Sequence, residues 1–172
     1  MLPLRDINAI RFQSSPHLRK WLKFPWNGYV YATMKVVVDS NVLYAGLYSR
    51  TGGSFRILEE IRHKRIQPAI SVALLEEYAD VLCREPLSMD FAESDREQFL
   101  DYLCSVGALT EIFFLWRPVL KDPKDDMVLE VAVASGSQCI ITHNVKDFRE
   151  AHRFGIEVIT PREYLKRKEH VV

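Results

Sequence analysis

From residue 34 onward, short apolar runs alternate with longer stretches whose apolar residues recur every three or four positions. Val36, Val37 and Val38 form a run of β-branched residues, which is typical of a buried strand. In 72–83 the apolar residues instead share one face of a helix. The pattern predicts strands at 35–38, 66–71, 109–115, 138–142 and 157–159. It predicts helices at 54–64, 72–83, 94–106 (with Ser94 as N-cap), 125–135 and 161–167.

Strands that alternate with helices favour one fold class. A helix that crosses over between neighbouring strands produces a parallel sheet, and helices then cover both of its faces. We therefore expect an α/β protein with a mostly parallel central sheet. In open sheets of this kind, ligands bind outside the carboxyl ends of the strands. Residues that follow the predicted strands are the first place to search for chemistry.

The first 33 residues differ in character from the rest. They carry five basic side chains against the single acid Asp6, five aromatic residues between positions 21 and 31, and no clear period. The first regular pattern opens at Met34. We expect residues 1–33 to be an N-terminal extension outside the core domain, which spans residues 34–172. The alternative is a basic, aromatic arm that packs on the domain or touches nucleic acid.

Composition limits the classes of protein that fit. The chain has 172 residues, 48% of them hydrophobic, which suits one globular domain. Basic and acidic residues number 23 each, so the net charge of zero does not indicate a nucleic-acid or membrane partner. The apolar runs fall short of the ~20 residues that a membrane span needs. Three widely spaced cysteines without a C-x-x-C pair fit reduced thiols in a cytoplasmic protein.

Polar residues follow two of the predicted strands. Asp39 comes directly after the valine run, where a carboxylate would lie at the carboxyl end of a buried strand. The run Asp-Ser-Asn at 39–41 is also favourable N-cap chemistry, so a capping role is the alternative. The run THNVKDF at 142–148 follows a second strand. There His143 could be a ligand or a base, but a lone histidine in a loop is more often neither, and the run could be an Asx turn.

The predicted helix 72–83 carries two adjacent acids that differ in direction. At 100° per residue, Glu77 lies about 100° from the centre of the apolar face and Glu76 about 160°. Glu77 can therefore turn into a cleft, whereas Glu76 faces water. A solvated acid at the helix edge is the alternative interpretation of Glu77.

The run DPKDD at 122–126 predicts the start of the next helix. Asp122 and Pro123 are suited to the N-cap and first helical positions. Asp125 then stands one turn into the helix and shares a face with apolar residues three, four and seven positions later. We expect Asp125 to face a site and Asp126, rotated by 100°, to face mostly solvent. Asp125 could also be an acid that stabilises the helix dipole.

Acids at one edge of a sheet would repel one another and lose solvation. A hard divalent cation relieves this repulsion, and Mg²⁺ and Mn²⁺ favour carboxylate oxygens and water. The chemistry that uses such a site is phosphoryl transfer or phosphodiester hydrolysis. The acids taken together therefore predict a metal site at the carboxyl ends of the strands.

Four motifs in this order resemble those of PIN domains. They are MKVVVDSNVLYAG, ISVALLEEYADVL, DPKDDMVLEVAVASGSQCIITHNVKDF and GIEVITPREYL, which together span about residues 34–167. The most similar branch comprises toxin components of toxin–antitoxin systems, the VapC-like ribonucleases. The resemblance implies a Rossmann-like α/β/α sandwich and a Mg²⁺- or Mn²⁺-dependent ribonuclease that cuts single-stranded RNA. It also implies a cognate antitoxin protein as partner and a homodimer.

The resemblance also assigns roles to individual residues. It implies catalytic acids at Asp39, Glu77 and Asp125 and supporting side chains at Ser40 and Asn41. For the mechanism we expect metal ligands at Asp39, Asp125 and Asp147, support from Asn144, and a substrate-phosphate contact at Lys146. The sequence departs from the family at Asn144, where an acid is common. An amide oxygen is a weak, uncharged ligand, so we expect one firmly bound ion, with Asp147 supplying the missing carboxylate.

Three alternative functions use similar sets of residues. A phosphatase with an aspartate nucleophile needs a second Asp at position 41, which is Asn41. A response-regulator receiver needs paired acids early in the domain and a lysine after the last core strand, and the sequence has neither. A PIN-like module that binds RNA or a partner without cutting stays open, because Asn144 weakens the acidic set.

Overall fold

The computed structural model describes residues 34–85, 87 and 92–169. The predicted extension at 1–33 lies outside this range. The described elements, in chain order, are β1 (Met34–Val38), α1 (Ser40–Tyr48), α2 (Gly53–Arg62), β2 (Ile66–Ile70), α3 (Val72–Leu82), α4 (Glu93–Val106), β3 (Ala108–Leu109), α5 (Pro123–Ser135), β4 (Cys139–Ile141), a 3₁₀ helix (Arg149–Phe154), β5 (Glu157–Ile159) and α6 (Pro161–Glu169). None of these helices is long and apolar enough to cross a membrane.

The five described strands form one parallel sheet in the order β3-β2-β1-β4-β5. This confirms the predicted α/β class with a parallel sheet. The chain builds the sheet outward from β1 on one side, and then returns through α5 to place β4 on the other side of β1. The strand order therefore reverses between β1 and β4, and such a switch point opens a crevice at the carboxyl ends of the two strands.

Alternation along the strands sends side chains to two separate cores. On one face Val37 and Ile140 pack with α3, α4 and α5. On the other face Val36, Val38 and Ile141 pack with α2 and α6. The valine run that predicted β1 is apolar throughout because both faces of this central strand are buried. The result is the predicted α/β/α sandwich.

Helix α1 was missed by the sequence pattern, which gives almost no polar positions between 42 and 48. Its close packing on α2 depends on Gly46. A Cβ at Gly46 would lie 2.7 Å from Leu58 Cδ1 and 2.8 Å from the Ser54 carbonyl oxygen. Glycine therefore allows the two helices to approach each other.

The predicted strand at 109–115 is wrong in extent. Only Ala108 and Leu109 pair with β2, and Thr110 donates one further backbone hydrogen bond to Ile70. Strand β2 ends at Ile70 and the chain turns at once into α3, so no backbone is left to pair with the later residues. The residues from Phe113 to Trp116 are exposed instead.

The remaining helix and strand predictions agree within a few residues, with one incorrect cap. Helix α4 begins at Glu93 and its N-cap is Ala92, so Ser94 is a helical residue and not the predicted cap. The cysteines have the predicted free thiols: Cys83 is exposed, Cys104 half-buried and Cys139 buried. Burial raises the pKa of the Cys139 thiol to about 12, with the nearby charge of Glu157 contributing.

Candidate functional site

Asp39 occupies the switch point between β1 and β4. Its backbone N–H donates to the Ile141 carbonyl over 3.0 Å, which fixes it between the ends of the two strands. Its side chain is 5% exposed. Oδ2 accepts hydrogen bonds from Asn41 Nδ2 at 2.8 Å and Thr142 Oγ1 at 2.6 Å, and Oδ1 lies 3.4 Å from Ser40 Oγ. The carboxylate is therefore held in one orientation by three neighbours.

Two opposing effects act on the Asp39 carboxyl. Burial raises its pKa, and the hydrogen bonds from Thr142, Asn41 and Ser40 only partly offset this effect, so the pKa lies above the ordinary value. The sequence predicted Asp39 at this strand end but left open whether it caps α1. Asp39 is in fact the N-cap residue of α1, yet its side chain makes no capping hydrogen bond. Its oxygens are directed to the surrounding polar side chains instead.

Thr142 links the two strand ends, and the sequence analysis gave it no role. It is fully buried, and its backbone N–H donates to Ile159 at 3.0 Å. Besides donating to Asp39, Thr142 Oγ1 accepts from the Asn144 backbone N–H at 3.0 Å and from Asn41 Nδ2 at 3.2 Å. The hydroxyl therefore connects the acid after β1 to the loop after β4. A Thr at a strand end before a polar loop was the only available signal.

Glu77 faces the site from α3, as the helical spacing predicted, while Glu76 is exposed. Ser40 Oγ lies 3.3 Å from Glu77 Oε1 and the Arg84 guanidinium lies 3.5 Å from the same oxygen. Ser40 thus stands between Glu77 and Asp39. The sequence predicted Ser40 as a supporting residue, and the structure places it between these two acids.

Tyr78 fixes the position of α3 and was read from the sequence only as an apolar residue. Its hydroxyl donates a short hydrogen bond to the Val38 carbonyl oxygen, directly before Asp39. Complete burial raises the pKa of Tyr78, and the charge of Asp39 raises it further. The phenol therefore stays neutral and keeps its proton for this bond. Since Glu77 precedes Tyr78, the bond also sets where Glu77 lies.

Asp125 approaches from the N-terminal turn of α5. Asp122 is the N-cap, as predicted, and its side chain accepts from the Lys124 N–H at 2.9 Å. Asp125 is half-buried. Burial raises the pKa of Asp125 to about 6, and the negative charges of Asp39, Asp122, Asp147 and Asp126 add to the rise.

The prediction that Asp126 faces solvent is wrong. This residue is 1% exposed, and Oδ1 accepts from the backbone N–H groups of Val119 at 3.3 Å and Leu120 at 2.8 Å. One turn later, Glu130 accepts from the Trp116 N–H and from the Arg117 guanidinium. The 100° rotation from Asp125 was correct, but the segment at 116–120 covers that side of α5. Helical periodicity alone cannot show such a covering segment.

The loop after β4 carries the remaining predicted residues. Asn144, Lys146 and Asp147 are exposed, and Asp147 N–H donates to the Asn144 carbonyl at 2.9 Å, which closes a turn. The buried Phe148 anchors the end of the loop. The negative charge of Asp147 adds to the effect of burial in raising the pKa of Asp125.

His143 turns toward α2 and not toward the acids. Its Nε2 lies 2.8 Å from Ser54 Oγ, and its backbone N–H donates to Asn41 Oδ1 at 3.3 Å. That this histidine is neither ligand nor base stays a prediction. Its side chain instead holds the loop after β4 against the start of α2.

The carboxylates of the candidate site are chemically suited to bind a divalent cation. Burial and then the negative charges of neighbouring aspartates raise the pKa of Asp125. A bound cation would offset these charges, and carboxylate oxygens are the donors that Mg²⁺ and Mn²⁺ prefer. Over residues 34–85, 87 and 92–169, however, no three Asp, Glu, His or Cys side chains lie close enough to form a ready cage. The acids therefore share one electrostatic region without being drawn together into a coordination sphere.

The chain is similar to a known family of domains. The family model described as "PIN domain" matches residues 35–146. This range runs from β1 to the loop after β4, so it contains Asp39, Glu77 and Asp125 and ends one residue before Asp147. No curated protein matches the chain.

Proposed function

The chain belongs to the PIN domain family, and from this premise we propose that it is a metal-dependent endoribonuclease that hydrolyses phosphodiester bonds of single-stranded RNA. PIN domains are generally nucleases and typically use divalent metals. The observation that carries the proposal is the placement of Asp39, Glu77 and Asp125 around one switch point, where burial and then the charges of neighbouring aspartates raise the pKa of Asp125. Such an arrangement has little value for stability, since acids placed close together, such as Asp39 and Asp125, repel one another.

The proposed ligands of the metal ion, Mg²⁺ or Mn²⁺, are Asp39, Asp125 and Asp147. When bound, such an ion would offset the negative charge of the phosphate oxygens and lower the pKa of a water molecule. Asp39 is the best oriented of the three, because Asn41 and Thr142 fix its Oδ2. Asn144 and Asp147 stand in the turn after β4, where Asp147 supplies the carboxylate that Asn144 lacks.

The roles of the other residues follow from their contacts. Glu77 orients the attacking water, and Ser40, between Glu77 and Asp39, fixes their relative positions. Lys146, exposed in the loop after β4, neutralises non-bridging phosphate oxygens as charge develops. The catalytic set of the proposal is thus Asp39, Glu77 and Asp125, with Ser40, Asn41 and Asn144 in support.

The proposal extends to the biological setting. We place the chain in the cytoplasm as the toxin of a toxin–antitoxin pair, acting as a homodimer and neutralised by a cognate antitoxin protein. The support is the sequence resemblance to that branch of the family. Isolating the complex with the product of the adjacent gene, followed by loss of RNA cleavage, would test this part separately.

A second candidate function is a module that binds RNA or a partner without cutting. The observation that favours it is the uncharged Asn144 at the fourth acidic position, together with the absence of a ready three-ligand cage among the described side chains. Turnover distinguishes the two candidates, since binding alone suits both.

The deciding experiment is cleavage of a mixed single-stranded RNA by the purified chain with Mg²⁺ or Mn²⁺ and with EDTA. The variant Asp39→Asn is assayed beside it, and Asp101→Asn, an exposed acid on α4, is the matched control. We expect metal-dependent cleavage by the wild type and the control only. A folded wild type that binds RNA and cuts with neither metal supports the binding module. Cleavage that persists in Asp39→Asn contradicts the assigned site.

A further inference from the structure

Arg84 places a guanidinium beside one of the candidate catalytic acids. Its Nη2 lies 3.5 Å from Glu77 Oε1 and 2.5 Å from Asp80 Oδ2. Asp80 is exposed on the outer side of α3, whereas Glu77 faces the site. Arg84 therefore bridges from the surface to the edge of the acidic region.

The turn that carries Arg84 is fixed to the site from two directions. The Arg84 N–H donates to the Val81 carbonyl at 3.2 Å, which continues the end of α3. Tyr44 Oη donates to the Glu85 carbonyl at 3.0 Å, which ties the same turn to α1. Helix α1 begins at Ser40, next to Asp39. The turn that carries Arg84 is therefore attached to α3 and to α1, the two helices beside the candidate site.

The charge and the exposure of Arg84 suit an anionic ligand. The hydrogen bond with Asp80 raises the pKa of Arg84 and the charge of Glu77 adds to this, so the side chain is always cationic. It is 51% exposed. Nη2 is the atom that pairs with Glu77 and Asp80. A guanidinium carries five N–H donors in a planar fork that matches two phosphate oxygens.

We propose that Arg84 binds a phosphate of the RNA backbone next to the scissile bond. The inference rests on the proposed ribonuclease function and names a phosphate contact in addition to Lys146. Arg84 is better suited to a fixed contact than Lys146, because two carboxylates and a tethered turn hold its position. Asp80 and Glu77 keep the guanidinium at the site edge, and a phosphodiester offers it two oxygens at once.

The competing explanation is that Arg84 only positions Glu77. Salt dependence separates the two roles, because each phosphate contact to single-stranded nucleic acid contributes about 0.7 to the slope of log K against log salt. A residue that merely holds Glu77 contributes nothing to this slope. We measure binding of a fluorescent single-stranded RNA by anisotropy in EDTA, over a series of salt concentrations, with Asp39→Asn as the non-cleaving background.

In that background we expect Arg84→Ala to weaken binding about tenfold at low salt and to reduce the slope by about 0.7, while Arg84→Lys retains most of the slope. Arg167→Ala is the matched control. Arg167 is also exposed and paired with one glutamate, Glu157, but it lies beside the amino end of β5. It should change neither quantity.

An unchanged slope in Arg84→Ala overturns the inference, as does a Glu77→Gln variant that reproduces the effect of Arg84→Ala. Cleavage by the otherwise native chain is measured in parallel. If the native chain cuts RNA and the slope is unchanged, the phosphate contact fails alone. If the native chain neither cuts nor binds RNA, the proposed function fails and the phosphate contact fails with it.

Discussion

Thr142 donates a 2.6 Å hydrogen bond to Asp39, and the two residues lie 103 positions apart in the sequence. Thr142→Val keeps the shape of the side chain and removes this donor. We expect the free energy of unfolding to fall by about 1–3 kcal/mol, because a buried carboxylate loses its shortest hydrogen bond. Denaturant unfolding measures the loss. Thr142→Ser should recover most of it, and Thr51→Val, at an exposed position, should be neutral.

Asp39→Asn separates the function of this carboxylate from its structural effect. We expect RNA cleavage to be abolished and thermal stability to stay the same or rise. The reason is that the variant removes a buried carboxyl group, whose pKa is raised by that burial. Calorimetry and the cleavage assay on the same preparation provide both readouts. A large loss of stability would instead make Asp39 a structural residue.

The raised pKa of Asp125 predicts a pH dependence of stability without metal. A carboxyl group whose pKa rises from 3.8 to about 6 on folding favours the folded state while protonated. That contribution is complete below pH 3.8 and is lost as the pH rises through about 6. In EDTA, Asp125→Asn should therefore be more stable than the wild type at pH 7–8, by about 1 kcal/mol after allowing for solvent screening.

Denaturant unfolding from pH 4 to pH 8 tests this difference, which should vanish toward pH 4. Adding Mg²⁺ at pH 7 should stabilise the wild type more than Asp125→Asn, because a ligand stabilises the state that binds it. A wild type that is the more stable protein at pH 8 in EDTA would show that Asp125 has a favourable partner.

Asp126 should stabilise the folded protein, whereas Asp125 should destabilise it in the absence of metal. Asp126→Ala removes the acceptor for the Val119 and Leu120 N–H groups. We expect a loss of about 1–3 kcal/mol in the free energy of unfolding, with the metal dependence of cleavage unchanged in the folded fraction. Unfolding curves and a metal titration of activity measure the two effects. If cleavage is lost while stability is retained, Asp126 belongs to the site.

Gly46→Ala tests the contact between α1 and α2. Alanine favours helices more than glycine by about 1 kcal/mol, but its Cβ would lie 2.8 Å from the Ser54 backbone oxygen. Since a backbone atom cannot move away as a flexible side chain can, we expect net destabilisation of about 1–3 kcal/mol. Thermal unfolding measures it, and Gly136→Asn, at an open left-handed position, should be nearly neutral. A more stable Gly46→Ala protein would show that α1 and α2 can move apart at little cost in free energy.

The sequence predicted features that depend on near neighbours. The valine run places Asp39 at a strand end, and the Asp122-Pro123 pair sets the start of α5 and hence the direction of Asp125. Thr142 and Tyr78 could not be assigned in this way, because their roles depend on partners 103 and 40 positions away. Long-range pairing also decided the extent of β3, which stops where β2 stops.

The order of synthesis determines when the hydrogen bond between Thr142 and Asp39 can form. A ribosome makes Asp39 and Glu77 well before it makes β4, and Asp125 shortly before it, so a growing chain holds the first two acids without the strand that completes their arrangement. Only when β4 pairs with β1 does Thr142 reach Asp39. If the chain is the ribonuclease proposed above, its site is therefore complete only after β4 has been made and has paired with β1.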